Sequence, residues 1–332
     1  RLTRPMAREP ARSVTRRTLS RRLRRPSLLI VGCGDVGLRL LTLLGQRRQQ
    51  ALRVVAVTRR PEQQQAVRRA GGVPIAADLD RARSLRRLAA FADWAVLLAP
   101  PPANGQDDPR MQRLIAACSA RGRAGAYRPR GATWPGPRAA ARRWSYVSTT
   151  GVYGDCAGAW LDETRPVAPA NARAIRRVAA ERRLRQLGAR GAARTAILRA
   201  SGIYAHERLP IERLQRGTPA LHTDDDVWTN HIHADDLARA AWLALFRGRP
   251  GRVVNAVDDS MLKMGDYFDA VADALALPRP PRLTRAEIIE RVSPAMLSFM
   301  SESRRLANRR LKRELRLRLH WPTVGDTLRS LA

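Results

Sequence analysis

"SLLIVGCGDVGLRLLTLLG", residues 27 to 45, is the stretch on which the fold turns. Residues 27–31 form an apolar run too short for a helix and suited to a buried strand. Gly32-Cys33-Gly34-Asp35-Val36-Gly37 follows at once. Val36, Leu38, Leu40, Leu41, Leu43 and Leu44 then describe a helix buried over much of its surface, and Gly45 with the polar QRRQQ closes it. Strand, G-x-G-x-x-G and helix in that order make a phosphate-binding turn. Gly32 allows the tight turn, Gly34 lets backbone approach a pyrophosphate, and Gly37 lets helix and strand pack closely. The helix start offers free N–H groups and a positive dipole end to the phosphates.

Working outward, strands and helices alternate. Residues 53–58 (RVVAVT) are strand-like and 62–70 helical; Val73 to Ala77 and Trp94 to Leu98 are strands flanking a helical 80–90. A helix over 108–119 precedes a stretch rich in Arg, Gly, Pro and Ala, 121–143, which reads as a long exposed loop. A strand at 144–149, a helical 169–187 and a strand at 195–199 follow. Beyond residue 200 the pattern is less regular, with helices near 234–247 and 264–275, a strand at 252–257 and a basic helix near 301–318. The alternation predicts an α/β protein with a doubly wound parallel (Rossmann) sheet. The expected divisions are a disordered basic extension (1–26), a dinucleotide-binding domain (27–200) and a smaller C-terminal substrate lobe (201–332).

The second strand ends Thr58-Arg59-Arg60, with no acid before Glu62. An NAD site places a carboxylate there for the ribose 2′-hydroxyl, whereas guanidinium groups suit a 2′-phosphate, so NADP is favoured and NAD stays admissible. Asp78 and Leu79 follow the third strand, where Asp78 would accept from an adenine amino group or cap the next helix. After the fourth strand, Ala99, Pro100 and Pro101 would line the cofactor cleft with a rigid apolar wall.

With 44% hydrophobic residues the 332-residue chain is globular in composition. Its net charge is +33, and of 62 basic residues only Lys263 and Lys312 are lysines. Arginines spread through every segment with 5% aromatic residues form no stripe and few stacking platforms, which argues against a nucleic-acid partner. Cys33, Cys118 and Cys156 stand far apart, which points to a reducing, cytoplasmic setting with no disulfide framework and no zinc site. The apolar 28–45 is broken by Asp35, Arg39 and the loop glycines, so no membrane span is expected. Ten arginines against one acid, Glu9, mark the first 26 residues.

"SYVSTTGVYGD", 145–155, ends the fifth strand in a run of hydroxyls, at the edge where such sheets bind ligands. STTGVYGD (148–155) with DET and PVAP downstream, LRASGIYA (198–205) and HIHADDLARA (231–240) resemble an extended or atypical short-chain dehydrogenase/reductase. The nearest group is the NAD(P)-dependent epimerase/dehydratase family. The resemblance covers about residues 27–330 and departs from it in the GxGxxG spacing and the 121–143 stretch. It implies an oxidoreductase or epimerase acting on a small polar or nucleotide-sugar-like substrate, and is compatible with a homodimer. It also implies that Thr149, with Ser148 beside it, bonds the reacting oxygen. The family's Tyr-xxx-Lys pair falls on NARAIRRVAAE (171–181), which puts Arg173 at the Tyr position and Arg177 at the Lys position.

Arg177 keeps a charge that suits a ribose, but a guanidinium stays protonated near neutral pH, so Arg173 is no general base. Tyr153 is expected to pack, His231 and His233 to share one face without a metal, and Asp235 and Asp236 to cap a helix. A non-catalytic NAD(P)-binding sensor or partner-binding protein is therefore the rival to the enzyme.

Overall fold

The structure, a computed structural model, describes residues 27–46, 52–124 and 142–331. The expected extension at 1–26 and residues 125–141 of the expected loop lie outside these.

Seven strands form one sheet: β1 (Ser27–Val31), β2 (Arg53–Thr58), β3 (Val73–Ala76), β4 (Trp94–Leu97), β5 (Arg143–Thr149), β6 (Arg194–Ala200) and β7 (Arg252–Ala256). In space they run β3-β2-β1-β4-β5-β6-β7, and every neighbouring pair is parallel. The chain builds outward from β1 to β3, then returns to β4 on β1's other side. The order thus reverses between β1 and β4, which opens a crevice at their C-terminal ends.

A parallel sheet is covered on both faces, so its strands must be apolar in both directions. In β1, Leu28 and Ile30 enter one core, while Leu29 and Val31 enter the other. Helices α1 (Asp35–Gln46) and, farther along the chain, α5 (Ala234–Leu243) cover the first face. Helices α3 (Pro109–Ala124) and α4 (Ala172–Ala189) cover the second. Between β2 and β3 runs α2 (Pro61–Arg69).

Four expectations need correction, the last of them at a helix cap. Helix α3 continues to Ala124, so the start of the expected 121–143 loop is helical. The basic helix over 301–318 does not form: the segment holds a two-residue strand, Arg305–Leu306, and a short helix, Arg309–Arg313. Its 315–319 part is irregular, with Arg316 at φ +50°, and it buries Leu315 and Leu317 while Arg316 and Arg318 stand exposed. Residue 200 also fails to divide the chain cleanly, because α5 and β7 belong to the sheet.

The remaining C-terminal segments form a third core around Tyr204, Leu214, Phe268 and Val271, which includes α6 (Met264–Ala274). Short strands knit this part to the sheet: Gly202–Tyr204 with His231–His233, and Trp160–Leu161 with Arg305–Leu306. Asp236, fully buried on α5, accepts from His320 N (3.0 Å) and Trp321 N (2.9 Å) and so ties the tail to the first face. The helix cap expected of Asp235 and Asp236 is instead His233, whose Nδ1 accepts from Asp235 N.

A charge lies deep in the second face. Glu181 of α4 is fully buried and meets Arg199 of β6 (2.8 Å), Arg185 (2.9 Å) and the Ser148 hydroxyl (2.7 Å). Removing one partner of a buried pair strands the other charge. Arg199→Met is expected to lower unfolding free energy by about 3 kcal/mol, and Glu181→Leu in the same chain to recover most of it. Urea unfolding of the single and double variants measures both; a single variant within 1 kcal/mol of wild type would show that Arg185 suffices.

Candidate active site

The β1–α1 turn carries Gly32, Cys33, Gly34, Asp35, Val36 and Gly37. Gly32 has φ +86°, and a Cβ there would stand 2.5 Å from the Ala99 backbone beyond β4. Any side chain would force the two strand ends apart. Around Gly34 the reverse holds: a Cβ would meet no atom within 4 Å, so its backbone borders open space at the start of α1. A Cβ on Gly37 would meet Cys33 Sγ at 3.0 Å and Ile30 at 3.4 Å, which is helix–strand contact. Cys33 points into that contact, and burial pushes its thiol up to about 12. Val36 packs on the first core. Asp35 does not face the loop unpaired: Arg39 (2.9 Å) and Arg208 (3.0 Å) offset its charge.

Arg59 and Arg60 are both exposed at the end of β2. Leu79, Ala99 and Pro100 line one small cavity of about 20 Å³ with Met111, Arg110 and Tyr146. Pro101, expected to line the same wall, is buried and does not line this cavity. Asp78 closes its own turn, accepting from Asp80 N at 2.9 Å, and does not cap the helix at Ala82–Leu85, which is preceded by Arg81 with no side-chain cap. Arg110, which the sequence reading missed, braces this wall. It pairs with Asp80 (2.6 Å) and donates to the carbonyls of Pro100 (3.3 Å) and Pro101 (3.2 Å). The hydrogen bond from Arg110 holds the Asp80 carboxyl below its ordinary value.

At the end of β5 the hydroxyls separate. Successive strand residues face opposite ways, so Ser148 turns to the second face and is consumed by Glu181. Thr149 turns the other way, is part-exposed, and accepts from Gly151 N at 3.2 Å. Arg177 is buried, and its Nη1 donates to Val147 O (3.0 Å), Tyr146 Oη (2.9 Å) and Ala99 O (3.3 Å). It therefore bolts α4 to the ends of β4 and β5. Arg173 is exposed one turn earlier, and desolvation with the like charges of Arg177 and Arg176 lowers its guanidinium from the ordinary value. Among the described residues, the buried Nε groups of Arg176, Arg177 and Arg304 have no acceptor.

The tail brings in groups that no local pattern announced. Asn171 caps α4 through Ala174 N (2.9 Å) and donates Nδ2 to Glu302 Oε1 (3.2 Å). Arg304 pairs with Glu302 Oε2 (2.9 Å) and donates to Gly154 O (2.7 Å). Glu302 lies in SESRR, which reads as an ordinary solvated stretch; the pairing of Arg305–Leu306 with Trp160–Leu161 and the bond from Ser303 N to Asp155 bring it to β5.

Tyr153 packs: it is buried and donates to Asn255 Oδ1 at 2.8 Å. His231 and His233 do share a face, both edge-on to Tyr204 (6.1 and 5.3 Å). Burial pushes both imidazoles down to about 4. Beside them Asp258, buried and bonded to Ser260 N (2.9 Å), is pushed up to about 7 by desolvation.

A family model described as "NAD dependent epimerase/dehydratase family" matches residues 28–256. A search among curated proteins returns no match. Among solved structures, a conserved protein of unknown function from Silicibacter pomeroyi is 29% identical with TM-score 0.72, covering 92% of this chain and 98% of that one. UDP-glucose 4-epimerase from Thermotoga maritima, solved with UDP-glucose, is 16% identical with TM-score 0.69, covering 91% and 96%. MoeE5, solved with UDP-glucose and NAD, is 22% identical with TM-score 0.64, covering 92% and 100%. The last two share the fold with this chain.

The Asp258 carboxyl keeps in the folded state a proton that the unfolded chain releases near its ordinary value of 3.8. Its contribution to stability is therefore present at low pH and is lost as pH rises towards 7. His231 and His233 act oppositely, losing stability as pH falls from 6.5 towards 4. Asp258→Asn cannot release the proton and keeps the Ser260 bond. It should match wild type near pH 4 and gain on it up to about pH 7, with a constant margin above that. Melting temperatures across pH measure the gap; a constant difference would show that Asp258 does not titrate there.

Proposed function

This chain belongs to the NAD dependent epimerase/dehydratase family, and from that premise we propose that it is an NAD(P)-dependent oxidoreductase or epimerase of the short-chain dehydrogenase type. It would act at a carbinol or carbonyl carbon of a small polar substrate, a nucleotide sugar first among these. UDP-glucose bound to two proteins of the same fold supports that choice.

The observation that carries the reading is the space beside Gly34 at the start of α1, with Thr149 at the same edge of the sheet. Residues on both sides of the crevice fit a dinucleotide. The Gly32–Gly37 turn offers backbone donors to a pyrophosphate, and the apolar surface of Leu79, Ala99 and Pro100 would lie against an adenine. The buried, unpaired Nε of Arg177 offers a donor to a ribose. A bound nicotinamide supplies the hydride acceptor or donor. Thr149 would orient the reacting oxygen, and Arg177 would fix the strand ends that frame it. Arg59 and Arg60 favour the 2′-phosphate of NADP, while NAD bound to MoeE5 keeps NAD in view.

A second reading, a dinucleotide-binding sensor without turnover, is favoured by one observation: Arg173 stands where the family keeps its tyrosine. The two readings part at Thr149.

Gly34→Val should leave the unfolding temperature close to wild type, because the side chain enters open space, while weakening NADPH binding tenfold or more. Thr149→Ala should leave NADPH affinity within twofold but lower turnover on a panel that includes UDP-glucose. Fluorescence titration and absorbance at 340 nm read these. No quenching with either NADPH or NADH would sink both readings, and binding without turnover would favour the sensor.

A further inference from the structure

Arg173 leaves a vacancy in the chemistry, since a guanidinium neither takes nor returns a proton near neutral pH. The tail supplies a carboxylate, an acceptor that a guanidinium is not. If a Cβ is built on Gly151, its three nearest atoms are Thr149 Oγ1 at 3.6 Å, Thr149 Cγ2 at 3.7 Å and Glu302 Oε2 at 3.9 Å. One small volume beside Gly151 is thus bordered by the hydroxyl expected to hold the reacting oxygen and by a carboxylate.

Glu302 is also built into place. Its side chain is 9% exposed, with Asn171 Nδ2 on Oε1 and Arg304 Nη1 on Oε2. Asn171 caps the same end of α4 on which Arg173 stands, so the carboxylate reaches the site from the tail while its anchor comes from the helix. A carboxylate has about four acceptor positions, and two are used here. Of four other titratable groups near these strand ends, two are hydrogen-bonded and two are buried imidazoles. Tyr153 donates to Asn255, Tyr146 accepts from Arg177, and His231 and His233 lie against Tyr204.

We infer that Glu302 is the proton carrier of this site, standing in for the tyrosine that Arg173 replaces. The inference rests on the dinucleotide reading above. With a bound nicotinamide as hydride acceptor, oxidation of a substrate carbinol would require the hydroxyl held by Thr149 to lose its proton, and the Glu302 carboxylate would take it. The C–H and O–H electron pairs become the hydride and the new carbonyl bond. In the reverse direction Glu302 returns the proton to the oxygen. Arg304 and Asn171 are positioning residues that hold the carboxylate towards Thr149.

The test needs a readout besides turnover. Protein carrying glutamate labelled with ¹³C at the side-chain carboxyl gives a Glu302 resonance, identified by its loss in Glu302→Gln. Saturation with NADP or NADPH should displace that resonance and change its pH titration. Glu302→Gln should keep NADPH affinity within twofold. For any panel member that wild type converts, UDP-glucose included, it should lower the rate on the order of 10²-fold or more, with Glu302→Asp partly restoring it. A Glu302 resonance unmoved by a cofactor that does bind overturns the inference alone, as does a Glu302→Gln rate equal to wild type. Failure of both cofactors to bind overturns the inference together with the reading beneath it.

Discussion

The rest of the molecule depends on one close approach, that of Gly32 to Ala99. The Val31 carbonyl accepts from both Leu98 N (2.8 Å) and Ala99 N (3.0 Å), so β1 and β4 stay clasped one residue past their ladder. With φ +86° at Gly32, the chain then turns away into α1 rather than colliding with β4. Only glycine meets both demands at that point, the left-handed backbone and the missing Cβ. The crevice, the free end of α1 and the wall at Ala99–Pro100 all follow from that turn.

Around this turn, arginine does work that other residue types do elsewhere. Arg177 holds α4 to the ends of β4 and β5 through two backbone carbonyls and a phenol. Arg110 ties the third and fourth strand ends together, Arg199 balances a buried glutamate, and Arg39 joins α1 to α5 through Asp235. A planar group with five donors can cross-link several carbonyls at once, which an ammonium does less well. Among the described residues, buried Arg199 is paired with Glu181, whereas buried Arg176 and Arg177 meet only carbonyl and phenol oxygens.

The readings that succeeded and failed divide by the range of the force involved. The order of strands and helices to residue 200, the glycine turn and the end of β5 at Thr149 were all legible. They rest on local periodicity and on backbone conformation at single positions. The face of Ser148 was legible in principle, because it follows from parity along β5, but the partner that claims it sits 33 residues away on α4. The expected helix at 301–318 failed because its charges suggested a solvated face. In the structure, Leu311, Leu315 and Leu317 instead enter the sheet's first core.

What the sequence by itself determined is therefore the scaffold: a parallel sheet, its glycine turn, and a threonine at the C-terminal edge of the sheet. Which charges meet at that edge was decided only by tertiary packing. Glu302 and Asn171 are 131 positions apart and meet because a two-residue strand pairs with Trp160–Leu161 and Ser303 N bonds Asp155 at 2.7 Å. Periodicity reports which side of an element is buried, within a few residues of chain. A contact between distant polar groups depends on how whole elements dock, and no short pattern encodes that.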